Sequence, residues 1–259
     1  MTSTRIVSPR RRTGWLLPLA IMVVMFAVPS VRGGAMIDFQ QIPELIKDVL
    51  MQPWSETVPA LLPVAKIALL AVAIVGIVGI GPYSKVVLGY YAAILAIIAV
   101  FQNTATLPGG VAIILGNTVA QLVVVVVCVL GIRHTTTAAP FRRERLWLLP
   151  LILWAWLCPF ATDAGVVVPG GWTDVLTNGA GVTYCMVTPV IAGTMALRSS
   201  AYGRTTRAIV GWLGTIFGLL NMMTWFAINP ESWWMGILHV PLLVIAAFLT
   251  ITSWREPRD

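Results

Sequence analysis

Residues 57–80 read TVPALLPVAKIALLAVAIVGIVGI, a run of 24 residues with one charged side chain, Lys66. About 20 apolar residues are enough for a helix to cross the hydrocarbon core of a bilayer, so this stretch predicts a transmembrane helix. Seven further apolar runs have the same character, at approximately 15–32, 84–102, 109–132, 146–162, 178–197, 207–228 and 233–253. The sequence therefore predicts an all-α bundle of eight transmembrane helices, arranged as four hairpins.

The composition of the 259-residue chain agrees with a membrane protein. Hydrophobic residues make up 58% of it and charged residues only 10%, whereas a soluble domain carries charges at roughly a quarter of its positions. This composition excludes a soluble globular domain and a disordered chain. The three cysteines cannot form a disulfide scaffold in a chain of this length, and each lies within an apolar run.

The positions of the charges predict the orientation of the bundle. Cytoplasmic loops retain Lys and Arg, and an even number of spans places both termini on one side. With the termini inside, fourteen of the seventeen cations fall in inner segments and seven of the ten acids in outer ones. We therefore expect a multi-pass protein of the inner (plasma) membrane of a bacterium, with both termini cytoplasmic. Topology and anionic lipid headgroups then explain the net charge of +7, and nucleic acid is not an expected partner.

The chain is predicted to form one membrane domain at 15–253, between a basic cytoplasmic tail at 1–14 and a second tail at 254–259. After the first span, residues 35–52 mix apolar and charged side chains with helical spacing. This segment predicts a short amphipathic helix on the outer surface.

The N-terminus has a second interpretation. Arg10-Arg11-Arg12 before the apolar run 15–32 also fits a secretory signal, whose cleavage would leave seven spans. We favour an uncleaved first helix, because the run is long for a signal core and lacks a small-x-small cleavage pattern at its end.

A short motif suggests an internal repeat. P-G-G-x-x-x-x-L-x-N starts at Pro108 and again at Pro169, 61 residues later, and a third copy without the glycines starts at Pro230 after the same interval. The first hairpin lacks the motif but has a lysine at a comparable depth. If the four outer corners are equivalent, four polar side chains lie at one level, roughly 10 to 15 Å below the outer surface: Lys66, Asn117, Asn178 and His239.

Polar side chains inside a bilayer are costly, so each is a candidate for function. The candidate ligand-binding residues are Lys66, Asn117, Gln121, Asn178, Tyr184, Asn221 and His239. They also have a structural interpretation as interhelical hydrogen bonds, and for the lysine as a side chain that snorkels to the interface.

Two loop acids are the candidates for catalysis. Asp163 and Asp174 flank Pro169 and could act as an acid–base pair, although solvated loop acids are the ordinary case. One histidine inside a span does not supply the three or four ligands of a metal site. We therefore expect no metal and no cofactor.

Two outer corners carry a family resemblance. They read Gly181-Val182-Thr183-Tyr184-Cys185 with Pro189 and Gly193, and Ile228-Asn229-Pro230 with Gly236. In these residues the chain resembles a family of small eight-helix bacterial membrane proteins that is known only as a domain of unknown function. The resemblance implies the eight-span fold and adds no activity.

Three classes of function remain open. The first is a binding or permeation protein for a small molecule or ion, with an outward-facing polar pocket. The second is an intramembrane enzyme that acts on a lipid or isoprenoid through Asp163 and Asp174. The third is an accessory or structural subunit that has membrane-protein partners. We favour the first because of the repeated corners, and lean against an enzyme because no activated nucleophile accompanies the acids.

Overall fold

The structure is a computed structural model that describes residues 16–163 and 166–256, without the side chains of residues 17, 39 and 162–167. Nine α-helices lie within these ranges: Leu16–Ala27 (α1), Ile42–Met51 (α2), Leu62–Val78 (α3), Tyr83–Phe101 (α4), Leu115–Gly131 (α5), Leu148–Leu157 (α6), Tyr184–Leu197 (α7), Arg204–Met223 (α8) and Trp233–Arg255 (α9). Six short strands accompany them: Val31–Arg32 (β1), Ala35–Met36 (β2), Thr104–Leu107 (β3), Gly110–Ile113 (β4), Phe160–Asp163 (β5) and Val166–Pro169 (β6). The chain is mostly helical, which confirms the predicted all-α class.

Five helical segments in the described part of the chain are long and apolar enough to cross a membrane. They are Pro59–Val78, Tyr83–Phe101, Leu115–His134, Arg204–Ile228 and Pro230–Arg255. A sixth candidate is a pair of helices, Trp172–Val182 and Tyr184–Leu197, bent by 86° at the break between them. These helices are compatible with a membrane protein. Each of the eight predicted runs contains one α-helix, but α1, α6 and α7 are each shorter than a full span, so eight crossings stay a prediction.

The shortness of α6 has a local cause. The predicted run extends to residue 162, but the helix ends at Leu157 because Cys158 takes a left-handed conformation with a φ of 35°. Pro159 follows, and the chain then enters β5. A non-glycine residue rarely adopts a positive φ, so packing around Cys158, which is completely buried, must hold this turn.

Helix α7 is the centre of the bundle. Apart from Cys185, all of its residues are buried, and it packs against α3, α4, α6, α8 and α9. Small residues allow the close approach: a Cβ atom added to Gly193 would lie 2.4 Å from Cγ1 of Ile152 on α6. A Cβ atom on Gly76 of α3 would lie 2.4 Å from Cγ2 of Thr194. These contacts are the ones expected where membrane helices meet at small residues.

Short antiparallel hairpins connect the helices at one end of the bundle. Strands β1 and β2 are joined by Gly33 and Gly34, which have φ angles of 58° and 85°, as the favoured two-residue hairpin turn requires. Strands β3 and β4 are joined by Pro108 and Gly109. Strand β1 also pairs with β4, which gives a four-stranded sheet in the order β2-β1-β4-β3. Strands β5 and β6 form a separate hairpin. We call the end of the bundle that carries these hairpins the corner end.

The predicted amphipathic segment is partly helical. Helix α2 covers residues 42–51 of the predicted 35–52, with Pro43 in its first turn. Its buried residues, Leu45 and Val49, belong to a small apolar cluster with Ala105 and Leu107 of β3. Residues 35–36 form β2 instead, because the two glycines before them turn the chain back onto β1.

The two copies of the repeated motif adopt different local structures, so they do not support equivalent corners. The glycines after Pro108 close the β3–β4 hairpin with positive φ angles, and α5 begins five residues after Gly110. Pro169 instead ends β6, and Gly171 has a φ of −97° before a 3₁₀ turn. Helix α7 starts only at Tyr184, after a second 3₁₀ turn. The third copy, at Pro230, leads directly into α9.

Arginine side chains tie together the opposite end of the bundle, which we call the basic end. Arg198 donates hydrogen bonds to the carbonyl oxygens of Ile77 and Val78, the last residues of α3. In the same way, Arg145 reaches the carbonyl of Ala196 near the end of α7, and Arg204 reaches those of Ser253 and Trp254 near the end of α9. The last carbonyls of a helix lack intrahelical partners and carry partial negative charge. These cations therefore stabilise three helix ends.

Candidate functional site

A cleft of about 530 Å³ opens at the corner end. The segment between α2 and α3 forms one wall, strands β3 and β5 contribute one residue each, and the segment before α7 forms the other wall. The lining residues are Met51, Gln52, Pro53, Trp54, Glu56, Thr57, Pro59, Leu62, Thr106, Ala161, Asp174, Thr177, Asn178 and Gly179.

The cleft is acidic and rich in hydrogen-bonding groups. Glu56 and Asp174 supply two carboxylates, and five lining side chains are amides or hydroxyls; no Lys or Arg is among the lining residues. The indole Nε1 of Trp54 donates to Oγ1 of Thr106 at 3.0 Å, which fixes the aromatic ring against β3. The local charge thus favours a neutral or positively charged ligand over an anion.

One carboxylate is held by a backbone hydrogen bond, and the other packs against a glycine. Oδ2 of Asp174 accepts a hydrogen bond from the N–H of Gly171 at 2.8 Å, within the turn that follows β6. The carboxylate of Glu56 lies against Gly179, where an added Cβ atom would be 2.1 Å from Oε1. A side chain at position 179 would therefore displace either the Glu56 side chain or the segment before α7.

Lys66 lies next to the cleft but does not line it. Its side chain is completely buried on α3, and Nζ donates to the carbonyl oxygens of Trp156 at 2.6 Å and Leu157 at 3.2 Å. A third hydrogen bond, of 3.2 Å, reaches Oδ1 of Asn178. The three donors of the ammonium group are thus used. Lys66 does not snorkel; it caps the end of α6, as the arginines do at the basic end.

Asn178 connects this buried cap to the cleft. Its Nδ2 donates to the carbonyl of Cys158 at 3.0 Å, and its Oδ1 also accepts the N–H of Ala180 at 3.1 Å. The same side chain lines the cleft. Of the four residues predicted to lie at one level, the structure brings Lys66 and Asn178 into contact; among the described contacts, none joins this pair to Asn117 or His239.

The other predicted ligand-binding residues occupy separate positions. Gln121 accepts a hydrogen bond from Asn103 at 3.0 Å within the α4–α5 pair, and Tyr184 is buried with its ring 4.7 Å from that of Phe217. Asn117 is half-buried in the first turn of α5. The Gln121 contact matches the structural interpretation of such residues as hydrogen bonds between packed segments, whereas the buried Tyr184 hydroxyl has no hydrogen-bond partner in the described part of the chain.

Asn221 and His239 meet at one tryptophan. The indole Nε1 of Trp225 donates to Oδ1 of Asn221 at 3.2 Å, and its ring centroid lies 6.4 Å from that of His239. His239 Nδ1 is 2.7 Å from the carbonyl oxygen of Met235, one turn earlier on α9. This second polar group is built from α8, the helical turn Thr224–Ile228 that follows it, and α9, and it contributes no residue to the cleft lining.

The predicted acid pair is described in part. Asp174 lines the cleft, whereas the side chain of Asp163, at the end of β5, lies outside the described residues. The acid–base pairing stays a prediction. Across residues 16–163 and 166–256 no group of three or more His, Cys, Asp or Glu side chains is placed to hold a metal ion.

Sequence reasoning missed most of the cleft wall before α3. Trp54 and Glu56 lie just before the predicted run 57–80 and Thr57 is its first residue, so the apolar pattern does not mark them as binding residues. The sequence does contain a signal for this wall of the cleft. An aromatic, an acidic and a hydroxyl side chain fall between Pro53 and Pro59, and prolines on both sides mark a fixed loop. Polar residues on such loops are frequent in binding sites.

Comparisons with known protein families, with curated proteins and with solved structures each found no match. The resemblance to the eight-helix family therefore stays a prediction, and the function has to be argued from the fold and the cleft.

Proposed function

We propose that this is a multi-pass membrane protein that binds a small polar ligand, neutral or positively charged, in the cleft at the corner end. The observation that carries the proposal is the lining itself, two carboxylates and several amides and hydroxyls around an ordered tryptophan, with no cation. A volume of about 530 Å³ lies within the range of small-molecule sites, roughly 300 to 1,000 Å³.

The charge of the cleft distinguishes between ligand classes. An anion would approach Glu56 and Asp174 and lose hydration without gaining a cationic partner from the lining. A cation gains from both carboxylates, and Trp54 adds an aromatic surface that stabilises organic cations. Lys66 then serves as a positioning residue, since it holds Asn178 in place from below and has no donor left for a ligand.

The depth of the cleft supports binding rather than permeation. Leu62 lines the cleft and is itself nearly buried, and Lys66, one turn further along α3, is completely buried. We further propose that the chain crosses the membrane eight times with the cleft outside. The gathering of the arginine-capped helix ends at the opposite end of the bundle supports this orientation.

A ligand screen on the purified protein tests the proposal. Melting temperatures would be measured in detergent with choline and putrescine as cations, glucose as a neutral probe and succinate as an anion. We expect a rise with at least one cation or neutral probe and none with succinate. The rise should be lost in Asp174→Asn and Glu56→Gln and kept in Asp48→Asn, an exposed acid on α2 outside the cleft. Stabilisation by succinate alone, or an equal rise in all three variants, would reject the site.

A further inference from the structure

A second cavity, of about 440 Å³, lies along the side of the bundle between α3 and α6. Its lining is apolar throughout: Leu70, Ala73, Ile74 and Ile77 from α3, Leu149, Pro150, Ile152, Leu153 and Trp156 from α6, and Val190 from α7. We call it the side groove. It runs from Leu70 to Ile77, seven residues further along α3, and is therefore about 10 Å long.

The packing of the bundle explains why this groove is open. Helices α3 and α6 both dock on α7 through glycine contacts, Gly76 with Thr194 and Gly193 with Ile152. They touch each other little along their length, and α7 forms the floor between them. Ile74 and Leu153 on the two rims are 48% and 52% exposed, which in a membrane means that they face lipid.

One end of the side groove is basic. Ile77, its last residue on α3, accepts a hydrogen bond from Arg198 through its carbonyl oxygen. Arg142 and Arg143 precede α6, and the N–H of Arg142 bonds to the carbonyl of Leu197 at the end of α7. The Arg142 side chain is 40% exposed and forms a 3.8 Å ion pair with Glu144, while its buried Nε has no hydrogen-bond partner in the described part of the chain. Arg143 is exposed.

We propose that the side groove holds one acyl chain of an anionic phospholipid from the leaflet at the basic end, with the lipid phosphate bound by Arg142 and Arg143. The apolar lining matches the chain, and the two arginines match the headgroup charge. A partner helix fits less well, because a helix of about 10 Å diameter occupies roughly 800 Å³ over this length, against about 440 Å³ available. An acyl chain is narrow enough to fill the groove down to Val190.

Lipid binding by the full-length protein in detergent tests the chain and the headgroup separately. Native mass spectrometry would count retained lipid after addition of phosphatidylglycerol or of phosphatidylcholine with the same chains. We expect phosphatidylglycerol to bind more tightly. Leu153→Trp should lose the retained lipid, because it fills the groove, whereas Val126→Trp, at a position of similar exposure on α5, should keep it.

A separate double substitution tests the assignment of the lipid headgroup to the two arginines. Arg142→Gln with Arg143→Gln should weaken phosphatidylglycerol about tenfold or more, from two charges near the membrane surface. Phosphatidylcholine should be weakened much less, because its choline cation offsets the charge of its phosphate. Arg133→Gln with Arg255→Gln, two exposed cations on other helix ends, is the matched control. Equal affinity for the two lipids, or equal retention in both tryptophan variants, would overturn the proposal. A change of oligomeric mass in Leu153→Trp with unchanged lipid content would assign the groove to a second copy of the chain and would overturn it as well.

Discussion

The ammonium group of Lys66 lies within an apolar helix, where a charge without compensating partners would be costly. Three oxygen atoms surround it, two of them carbonyls at the end of α6. The partial negative charge of that helix end compensates the lysine without a carboxylate. The same arrangement recurs with Arg145, Arg198 and Arg204 at the basic end. In this protein, buried and half-buried cations therefore stabilise helix ends.

Replacing Lys66 tests this role. Lys66→Met keeps the length of the side chain and removes its donors, so the carbonyls of Trp156 and Leu157 lose their partner. We expect a loss of about 1–3 kcal/mol in the free energy of unfolding, measured as a lower melting temperature in detergent. Lys47→Met on the exposed face of α2 should have little effect. Equal melting temperatures for the two variants would show that the cap contributes nothing.

Gly179 packs against the Glu56 side chain in the wall of the cleft. Gly179→Ala places a Cβ atom 2.1 Å from Oε1 of Glu56, so the carboxylate or the segment before α7 must move. We expect a lower melting temperature and weaker binding of whichever probe the cleft accepts. Gly89→Ala on α4 is the control, because nothing lies within 4 Å of its added Cβ and alanine is the better helix former. A cleft that tolerates Gly179→Ala as well as Gly89→Ala would contradict the described position of Glu56.

A carboxylate also lies at the basic end of the bundle, on Glu256, which directly follows α9. Partial burial opposes ionisation of Glu256, but its hydrogen bond from Arg207 and the charges of Arg207 and Arg145 hold its pKa below the usual value. Because the folded state binds this proton more weakly than the unfolded state, the carboxylate stabilises the fold above its ordinary pKa. That contribution is lost as the pH falls through the lowered pKa.

A pH series on Glu256→Gln measures this contribution. At pH 7 the wild type should melt above the variant, and the difference should shrink as the pH is lowered below the ordinary glutamate pKa of about 4.3. Glu144→Gln, whose side chain is 63% exposed in a 3.8 Å ion pair with Arg142, should differ from wild type by much less. A wild-type advantage that is the same at pH 7 and pH 3.5 would exclude ionisation of Glu256 as its source.

At the scale of elements, the helices were predictable and the corners were not. Apolar runs of about 20 residues located all eight helices of the bundle, because burial in lipid or protein demands them. The hairpin turns at Gly33-Gly34 and Pro108-Gly109 also had a recognisable sequence. The pairing of β1 with β4 has no recognisable sequence signal, because Val31 and Ile113 are brought together by the packing of α1 on α5.

The contact between the two turns of the sheet offers a test at this scale. A Cβ atom on Gly33 would lie 2.3 Å from the carbonyl oxygen of Gly109, whereas one on Gly34 meets nothing within 4 Å. Both positions have positive φ, so alanine at either site costs about 1 kcal/mol or more in backbone strain. We expect Gly33→Ala to lower the melting temperature more than Gly34→Ala. The same loss in both variants would mean that the turns do not touch.

At the scale of the whole molecule, the sequence related two residues that the structure brings into contact, while the orientation of the bundle and the role of these residues stay predictions. The position of each residue within its apolar run was enough to predict that Lys66 and Asn178 lie at a similar depth, because both lie near the ends of apolar runs. The cleft itself needs three segments far apart in sequence, around Glu56, Thr106 and Asp174. These three segments come together because of the short helices and the corner hairpins. The periodicity of apolar residues predicts neither feature.

Accessibility of single cysteines from the two sides of the membrane tests most directly whether an outward-facing cleft lies opposite a cytoplasmic basic end. Thr177→Cys places a thiol at an exposed position in the cleft, and Arg143→Cys places one at the basic end. The wild-type chain, with Cys128 and Cys158 buried and Cys185 half-buried, sets the background. A membrane-impermeant maleimide should label Thr177→Cys on intact cells and Arg143→Cys only after permeabilisation. Labelling of Arg143→Cys on intact cells, with Thr177→Cys protected, would contradict the orientation and place the cleft inside the cell.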